Sequence, residues 1–529
     1  MTSLTNFAVL SACVAVVYLL YKRFNRITLN DIPGPKSESF WLGHVGRLQR
    51  ELVGELDFEW QEQFGGVAHI KGPLGQDILW VSDPRAMQFI HNGGYNFPKP
   101  TERMAFSIMT TDRGLVTAQD DTHRRQRKAM SPAFGAPESR ALFPIFSRCA
   151  ESIMTRWKDQ LFDTPDQSSE FNVTTWLSCA TLDAIGEAAF DHKFGTIDNQ
   201  QSEFINAYRG LLIKAHGHPK DRKIIFHSLS RFFPLEFLIF IYNRLPYYRF
   251  VHWNREVAHK FARQMLADKD AALAKGADNH DVMTILVRAN NSENEQRKLT
   301  DYEMVSQMRT ILLAGHETTS LSLSWGLLEL AKRPDIQNKL RKEIHDMEAA
   351  VKGRGFIAAD MDRMPYTQAC VKEILRLNPA AYYNYRAAGH DMAIPLARPI
   401  TTKSGKEIRE VPVAKGTRII LSIVGYNRDK AVWGQDAHEF NPDRWLNKSE
   451  KKETATFAGG PRACIGWRFA VHEIQAFLIE LVANFEFSPT EACKKVRREP
   501  CNLMSPTIEG EWDKGVQLPL KVTLVKRET

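Results

Sequence analysis

The sequence predicts a mainly α-helical fold, one large domain with a small β component behind an N-terminal transmembrane helix. Three observations predict it. Thr300 and Glu303 form a capping box that opens a long helical stretch to about Arg333, which Pro334 closes. Near the C-terminus, Phe469, Val471, Ile474, Phe477, Leu478 and Leu481 recur at helical spacing as a largely apolar stripe. Leu4 to Tyr21 is an apolar run of 18 residues interrupted only by Thr5, Asn6 and Ser11. As a helix it spans roughly 27 Å at about 1.5 Å per residue, enough to cross a bilayer.

No Lys or Arg precedes that run, whereas Lys22, Arg23 and Arg26 follow at once. That is the charge pattern of a retained anchor with the following chain on the cytosolic side, rather than of a cleaved signal peptide. Ile32-Pro33-Gly34-Pro35 then makes a stiff hinge. The chain thus divides into an anchor over residues 1–26, a hinge over 27–45 and one domain over 46–529. Its 529 residues would suggest several domains on length alone, but no linker, repeat or low-complexity tract breaks the last of these segments. A hydrophobic content of 43% suffices for a sizeable core.

Val67-Ala-His-Ile70 and Ile78-Leu-Trp-Val81 flank Gly72-Pro73-Leu74-Gly75, which predicts a hairpin, and Asp83-Pro84 starts a helix after it. Pro98 to Val116, carrying Met104, Phe106, Ile108 and Met109, has no clean period and is expected to be a loop. His123 and Arg127 lie four apart and share one face of a helix, from which both can donate to an anion. A basic helix of this kind is otherwise a solvated face. Residues 224–248 combine Phe226, Phe232, Phe233, Phe237, Phe240, Tyr242, Tyr247 and Tyr248 with Arg231 and Arg244. Such a segment either dips into a membrane interface or packs as two core helices. In the middle of the long helix stands Ala314-Gly315-His316-Glu317-Thr318-Thr319. Its threonine hydroxyls compete for backbone carbonyls, which predicts a local widening of the helix that holds water. Glu373 and Arg376, three apart on a helix ended by Asn378-Pro379, form a pair worth only about 0.2–0.5 kcal/mol if exposed.

The chemistry concentrates in Thr454-Ala-Thr-Phe-Ala-Gly-Gly-Pro-Arg-Ala-Cys464-Ile-Gly466. A cysteine ligates metal only as thiolate, so something must stabilise the anion. Gly459, Gly460 and Gly466 allow a tight turn whose N–H groups point at the sulfur, and the helix that follows adds its N-terminal dipole. Phe457 shields the sulfur, and Arg462 offers a cation to an anionic group on the metal's carrier. No CxxC, HxxxH or second nearby cysteine completes a zinc or iron–sulfur site. One protein ligand suffices where a macrocycle supplies the others.

The pattern Phe457-x-x-Gly460-x-Arg462-x-Cys464-x-Gly466 resembles the haem-binding signature of the cytochrome P450 monooxygenases, in a membrane-anchored form of fungal type. The resemblance implies a helical haem domain with small β-sheets and haem b held by Cys464 as axial iron ligand. It places His123, where the family usually has Trp, with Arg127 and Arg386 at the haem propionates. Ala314 to Thr319 is similar to the family's oxygen-activation sequence, which implies that Thr318 hydrogen-bonds the bound dioxygen and Glu317 relays protons. Glu373, Arg376 and Arg444 resemble its Glu-x-x-Arg plus Arg triad, a brace for the loop behind the haem. Met104, Phe106, Ala314, Tyr382, Tyr383 and Met504 are the implied substrate-pocket residues, with Tyr385 facing the same way.

The implied reaction is insertion of one oxygen atom of O2 into a lipophilic substrate, as in hydroxylation of a terpenoid or other apolar compound in fungal secondary metabolism. No flavin or nicotinamide fingerprint occurs, so the resemblance implies electrons from NADPH through a separate cytochrome P450 reductase, at the endoplasmic reticulum membrane. An O2-independent haem-thiolate isomerase or dehydratase and a non-catalytic haem protein are the alternatives, and the Glu317–Thr318 pair argues against both. The net charge of +8 lacks the basic stripe and reading motif that nucleic-acid binding needs, its one cluster being Lys494, Lys495, Arg497 and Arg498, a solvated face or a docking surface for an acidic partner. The seven cysteines, all but Cys13 in the cytosolic part of the chain, are expected to be thiols. Deleting residues 1 to 28 is expected to weaken membrane attachment and keep the haem spectrum; loss of haem instead would make this segment part of the fold.

Overall fold

The computed structural model describes residues 27–198, 202–275, 281–291, 298–447 and 452–526. The expected anchor lies outside them, and among the described residues no helix is long and apolar enough to cross a membrane. Helices dominate, and short sheets lie at their edges. Val67–Lys71 (β1) and Asp77–Val81 (β2) pair antiparallel with Val67 opposite Val81, the hairpin that the sequence predicts. Tyr383–Ala387 (β3) and Arg418–Ser422 (β4) complete a four-stranded sheet in the order β1-β2-β4-β3, β2 and β4 running parallel. Asp83 caps the helix after the hairpin by accepting from the Ala86 N–H.

Residues 98–116 are not a loop throughout, because Thr101–Thr111 is an 11-residue helix (α1). Burial on several sides hid its period: Met104, Ala105, Phe106, Ile108 and Met109 are all enclosed. Asp120–Met130 (α2) carries His123 and Arg127, as the spacing predicts. Val173–Phe190 (α3) packs along a later helix, Leu211–His216 (α4) follows, and Asp221–Leu229 (α5) and Leu235–Tyr242 (α6) carry the aromatic-rich region.

Asp301–Lys332 (α7) is the central helix, with most of its side chains buried. Its capping box is complete: the Glu303 N–H donates to Thr300 Oγ1 at 3.2 Å, and the Thr300 N–H to Glu303 Oε2 at 2.9 Å. The expected widening does not occur. The helix runs unbroken through Ala314–Thr319, and the Thr319 hydroxyl donates to Gly315 O at 3.1 Å. Gly315 serves packing, since a Cβ there would stand 2.7 Å from Ile185 Cδ1 on α3.

Pro365–Leu377 (α8) bears the Glu373–Arg376 pair, and Trp467–Asn484 (α9) begins just past Cys464. On α9 the predicted stripe faces the core except Val471, which is half-buried. Glu373 and Arg376 are fully buried, not exposed, with 2.7 Å between Oε1 and Nη2. Glu373 accepts five hydrogen bonds, from Arg376 Nε and Nη2, Arg444 Nε, Trp445 Nε1 and the Asn441 N–H. Arg376 donates onward to the carbonyls of Asn427, Ala437 and Glu439. The six described cysteines are free thiols. Glu373→Ala strands two buried cations and is expected to cost about 3–5 kcal/mol. A thermal melt of the variant matching the parent would contradict this.

Candidate active site

Cys464 opens onto a cavity of about 260 Å³ whose opposite wall is α7. The loop before α9 is shaped by its own backbone: the Cys464 N–H donates to Phe457 O at 2.9 Å. Gly460 has a φ of +64°, and a Cβ there would meet His91 O at 2.2 Å, so only glycine fits. Gly459 and Gly466 have negative φ and meet no close neighbour, so the turn needs one of its three glycines for conformation. Arg127 Nη1 donates to Ala463 O at 2.7 Å, tying α2 to the loop. Burial pushes the Cys464 thiol up, while a hydrogen bond from the Gly466 backbone and the Arg127 charge draw it down.

Ala314, Gly315, Thr318 and Thr319 of α7 line the cavity, joined by apolar side chains such as Leu115, Phe134 and Ile311. The Thr318 hydroxyl donates to Ala314 O at 2.6 Å. Glu317 is not on this wall. Its carboxyl turns toward the Leu212 backbone on α4, Oε2 is buried without a partner among the described residues, and burial pushes it up to about 8.

The rest of the cavity is cationic. His123, Arg127, Arg386 and Arg462 all line it, and so does Lys99, which sequence reasoning missed. Lys99 is fixed between Pro98 and Pro100 and donates to Val116 O; burial, then Arg386 and Arg462, lower it to about 7. Burial drives Arg386 to about 10 and, with Arg462 and Arg127, His123 to about 3, so His123 is neutral beside the Tyr95 hydroxyl at 2.8 Å. Arg462 donates to Ala118 O at 3.1 Å and Gln119 Oε1 at 2.6 Å. No acidic side chain lines the cavity, and none of these four cations has an ion-pair partner among the described residues. A thiol facing apolar walls, beside cations that lack counter-charge, fits a flat apolar macrocycle with anionic side groups and a thiolate-ligated metal.

The chain matches the family model described as Cytochrome P450 over residues 33–512. It belongs to the cytochrome P450 family. Among similar proteins, "Cytochrome P450 monooxygenase 128" of Postia placenta is 32% identical, the alignment covering 93% of this chain and 92% of the relative. "Cytochrome P450 monooxygenase claQ" of Ampulloclitocybe clavipes is 30% identical over 96% and 97% of the two chains. This P450 is thus a haem-dependent monooxygenase, an oxidoreductase that draws on NADPH through a reductase. The resemblance read from the Cys464 signature holds at the level of the family.

Of the expected pocket residues, Ala314 alone lines the Cys464 cavity. Phe106, Tyr382 and Tyr385 line a second, smaller cavity. Tyr383 turns away, since alternation along β3 sends its hydroxyl to Asp57 Oδ2 at 2.5 Å. Met504 is fully buried in a strand pair, its carbonyl accepting from Trp325 Nε1 at 2.9 Å. Met104 packs behind the wall, its sulfur 3.4 Å from Gln119 Nε2. Asn384, between Tyr383 and Tyr385, does reach the Cys464 cavity; period-2 alternation from Arg386 could have found it.

The Glu317 carboxyl in the folded protein sits at about 8, above its ordinary 4.5. The protonated form is the one that folding favours, so its contribution is fully present below about pH 4.5 and is lost as the pH rises through about 8. Glu317→Gln, neutral at every pH, is expected to lack that fall, the gap from the parent changing by at most about 1.4 kcal/mol per pH unit. Thermal melts of the two holoproteins with one shared pH profile across this window would contradict it.

Proposed function

We propose that this P450 hydroxylates a lipophilic substrate at the Cys464 cavity, with each part of that site taking the role its chemistry suits. The observation that carries this reading is the placement of Cys464 across one cavity from Ala314 and Thr318. Cys464 would hold the haem iron as a thiolate ligand. Arg127, Arg386, Arg462 and Lys99, with the N–H of neutral His123, would hold the haem propionates by charge-assisted hydrogen bonds. Haem, when bound, supplies the redox chemistry that divides dioxygen between product and water. Thr318 orients a proton donor at the wall of α7, and Glu317, protonated near neutral pH, stores a proton one residue away. The buried cluster of Glu373, Arg376 and Arg444 braces the chain behind Cys464.

The substrate is an apolar compound of fungal secondary metabolism, a terpenoid among the candidates. Support comes from the apolar walls and from relatives in Postia placenta and Ampulloclitocybe clavipes. Residues 1–26 anchor the chain in the endoplasmic reticulum membrane, 27–45 form the hinge, and the catalytic domain is cytosolic. A second surface supports membrane seating: Phe226, Phe232, Phe233, Phe237, Phe240 and Tyr247 are exposed on and around α5 and α6. Phe40 and Trp41, at 64% and 61% exposure, extend it, because Phe40 packs on Gly75 and α5 packs on the same turn.

The reductase docks on the Cys464 side, where Lys128 of α2 and Arg468, stacked on Trp467, are exposed or nearly so. The cluster at residues 494–498 is poorly suited to it. Lys494 pairs with Glu491, Arg497 with Glu499, and Arg498 donates to Val53 O at 2.9 Å. The test is the carbon monoxide difference spectrum of the dithionite-reduced protein beside Cys464→Ala. A strongly red-shifted Soret band that vanishes in the variant is expected, and the band persisting in the variant would overturn the assignment of Cys464.

A further inference from the structure

We propose that the substrate of this P450 is a lipophilic carboxylic acid whose carboxylate is held by Arg103 in the second cavity. This deepens the hydroxylase reading above by naming the substrate class. The second cavity, of about 80 Å³, lies where α1, α4 and α5 meet β3. Four basic side chains line it, Arg103, His216, Lys223 and His227, and no acidic one does.

Among the described residues the cations there lack a counter-charge. Arg103 lies 3.8 Å over the Tyr385 ring, a stack that fixes the guanidinium plane without using its N–H groups, and no ion pair engages it among the described residues. Its chain neighbour Glu102 is not available, because Arg418 grips that carboxylate through Nε at 3.0 Å and Nη2 at 2.9 Å. Among the described residues Lys223 Nζ donates to two neutral oxygens, Ala215 O and the Tyr247 hydroxyl, each at 2.8 Å. His216 Nε2 is buried without a partner among the described residues. Burial, reinforced by Arg103 and Lys223, keeps both imidazoles neutral, with His227 near 3. An enclosed site of positive potential with an unsatisfied imidazole nitrogen is one that a carboxylate completes.

β3 contributes to both cavities, Tyr385 lining the second and its neighbours Asn384 and Arg386 the Cys464 cavity. A third cavity shares Arg103, His227 and Tyr385 with the second, and Arg386 with the Cys464 cavity. Phe106, Tyr248 and Tyr382 give the second cavity aromatic walls that suit an apolar chain passing between them. Size and charge favour a carboxylate over a phosphate ester or diphosphate, which would bring two or more charges. No group of side chains able to hold a divalent cation occurs among the described residues to offset them.

The probes are straight-chain acids from octanoate to octadecanoate and their methyl esters, titrated by calorimetry into the full-length holoprotein, its Arg103→Gln and its Arg103→Lys variants. The parent is expected to prefer one or more acids over the matching ester. Arg103→Gln is expected to weaken acid binding about 10-fold to 100-fold, the worth of one charge-assisted hydrogen bond, and to leave ester binding unchanged. Arg103→Lys is expected to keep most of the preference. Equal affinity for acid and ester throughout the series, equal weakening of both in Arg103→Gln, or tighter binding of dodecyl phosphate than of dodecanoate would each overturn the proposal. A carbon monoxide spectrum recorded on the same samples separates the two readings. An intact thiolate band without acid preference removes only the substrate class, whereas an absent band removes the hydroxylase reading beneath it.

Discussion

Glu373 sits at 0% exposure with two arginines on its carboxylate, and the position of Cys464 can be traced back to it. An unpaired charge there would be ruinous, so the chain surrounds the cluster with backbone carbonyls that each demand a fixed place. One of them is Asn427 O, bonded to Arg376 at 2.7 Å. The Asn427 side chain in turn donates to Thr456 Oγ1 and accepts from the Ala455 N–H, and Thr456 donates to Leu375 O on the helix that carries Glu373. Thr456 adjoins Phe457, whose carbonyl holds the Cys464 N–H. The electrostatic demand of a carboxylate in the core thus reaches the sulfur through a short run of hydrogen bonds, with no direct contact between them.

The charge balance of the Cys464 cavity is the reverse case. Lys99, Arg127, Arg386 and Arg462 are gathered without anions among the described residues, which raises the free energy of the bare fold and lowers that of its complex with an anionic guest. Burial first, and then their mutual repulsion, draws Lys99 down to about 7 and Arg386 to about 10. Such a site is built for its ligand at some cost to itself.

Much of this was legible in the sequence. The Cys464 loop, the His123–Arg127 face, the β1–β2 hairpin and the Thr300 cap all rest on local spacing, and local spacing is what a sequence displays. What stayed hidden depends on direction. Tyr383 and Tyr385 are two apart on one strand, yet Tyr383 bonds Asp57 from another part of the chain while Tyr385 stacks on Arg103. The helix Thr101–Thr111 lost its period because the molecule encloses it on several sides. Gly315 lies where a widening of α7 was expected, and the partner that explains it, Ile185, is distant in sequence. Lys99 carried no motif at all; only the converging cations reveal it.

The unbroken course of α7 bears on the timing of chemistry at its surface. With its proton already engaged by Ala314 O, the Thr318 hydroxyl presents lone pairs to the cavity. It is therefore poised first to receive a hydrogen bond from water, and turning about one side-chain bond makes it a giver. That rotor turns in picoseconds to nanoseconds and asks nothing of the backbone. A helix that had to unwind to offer the same service would be far slower, so the rigid form leaves this step free of the protein's slow motions.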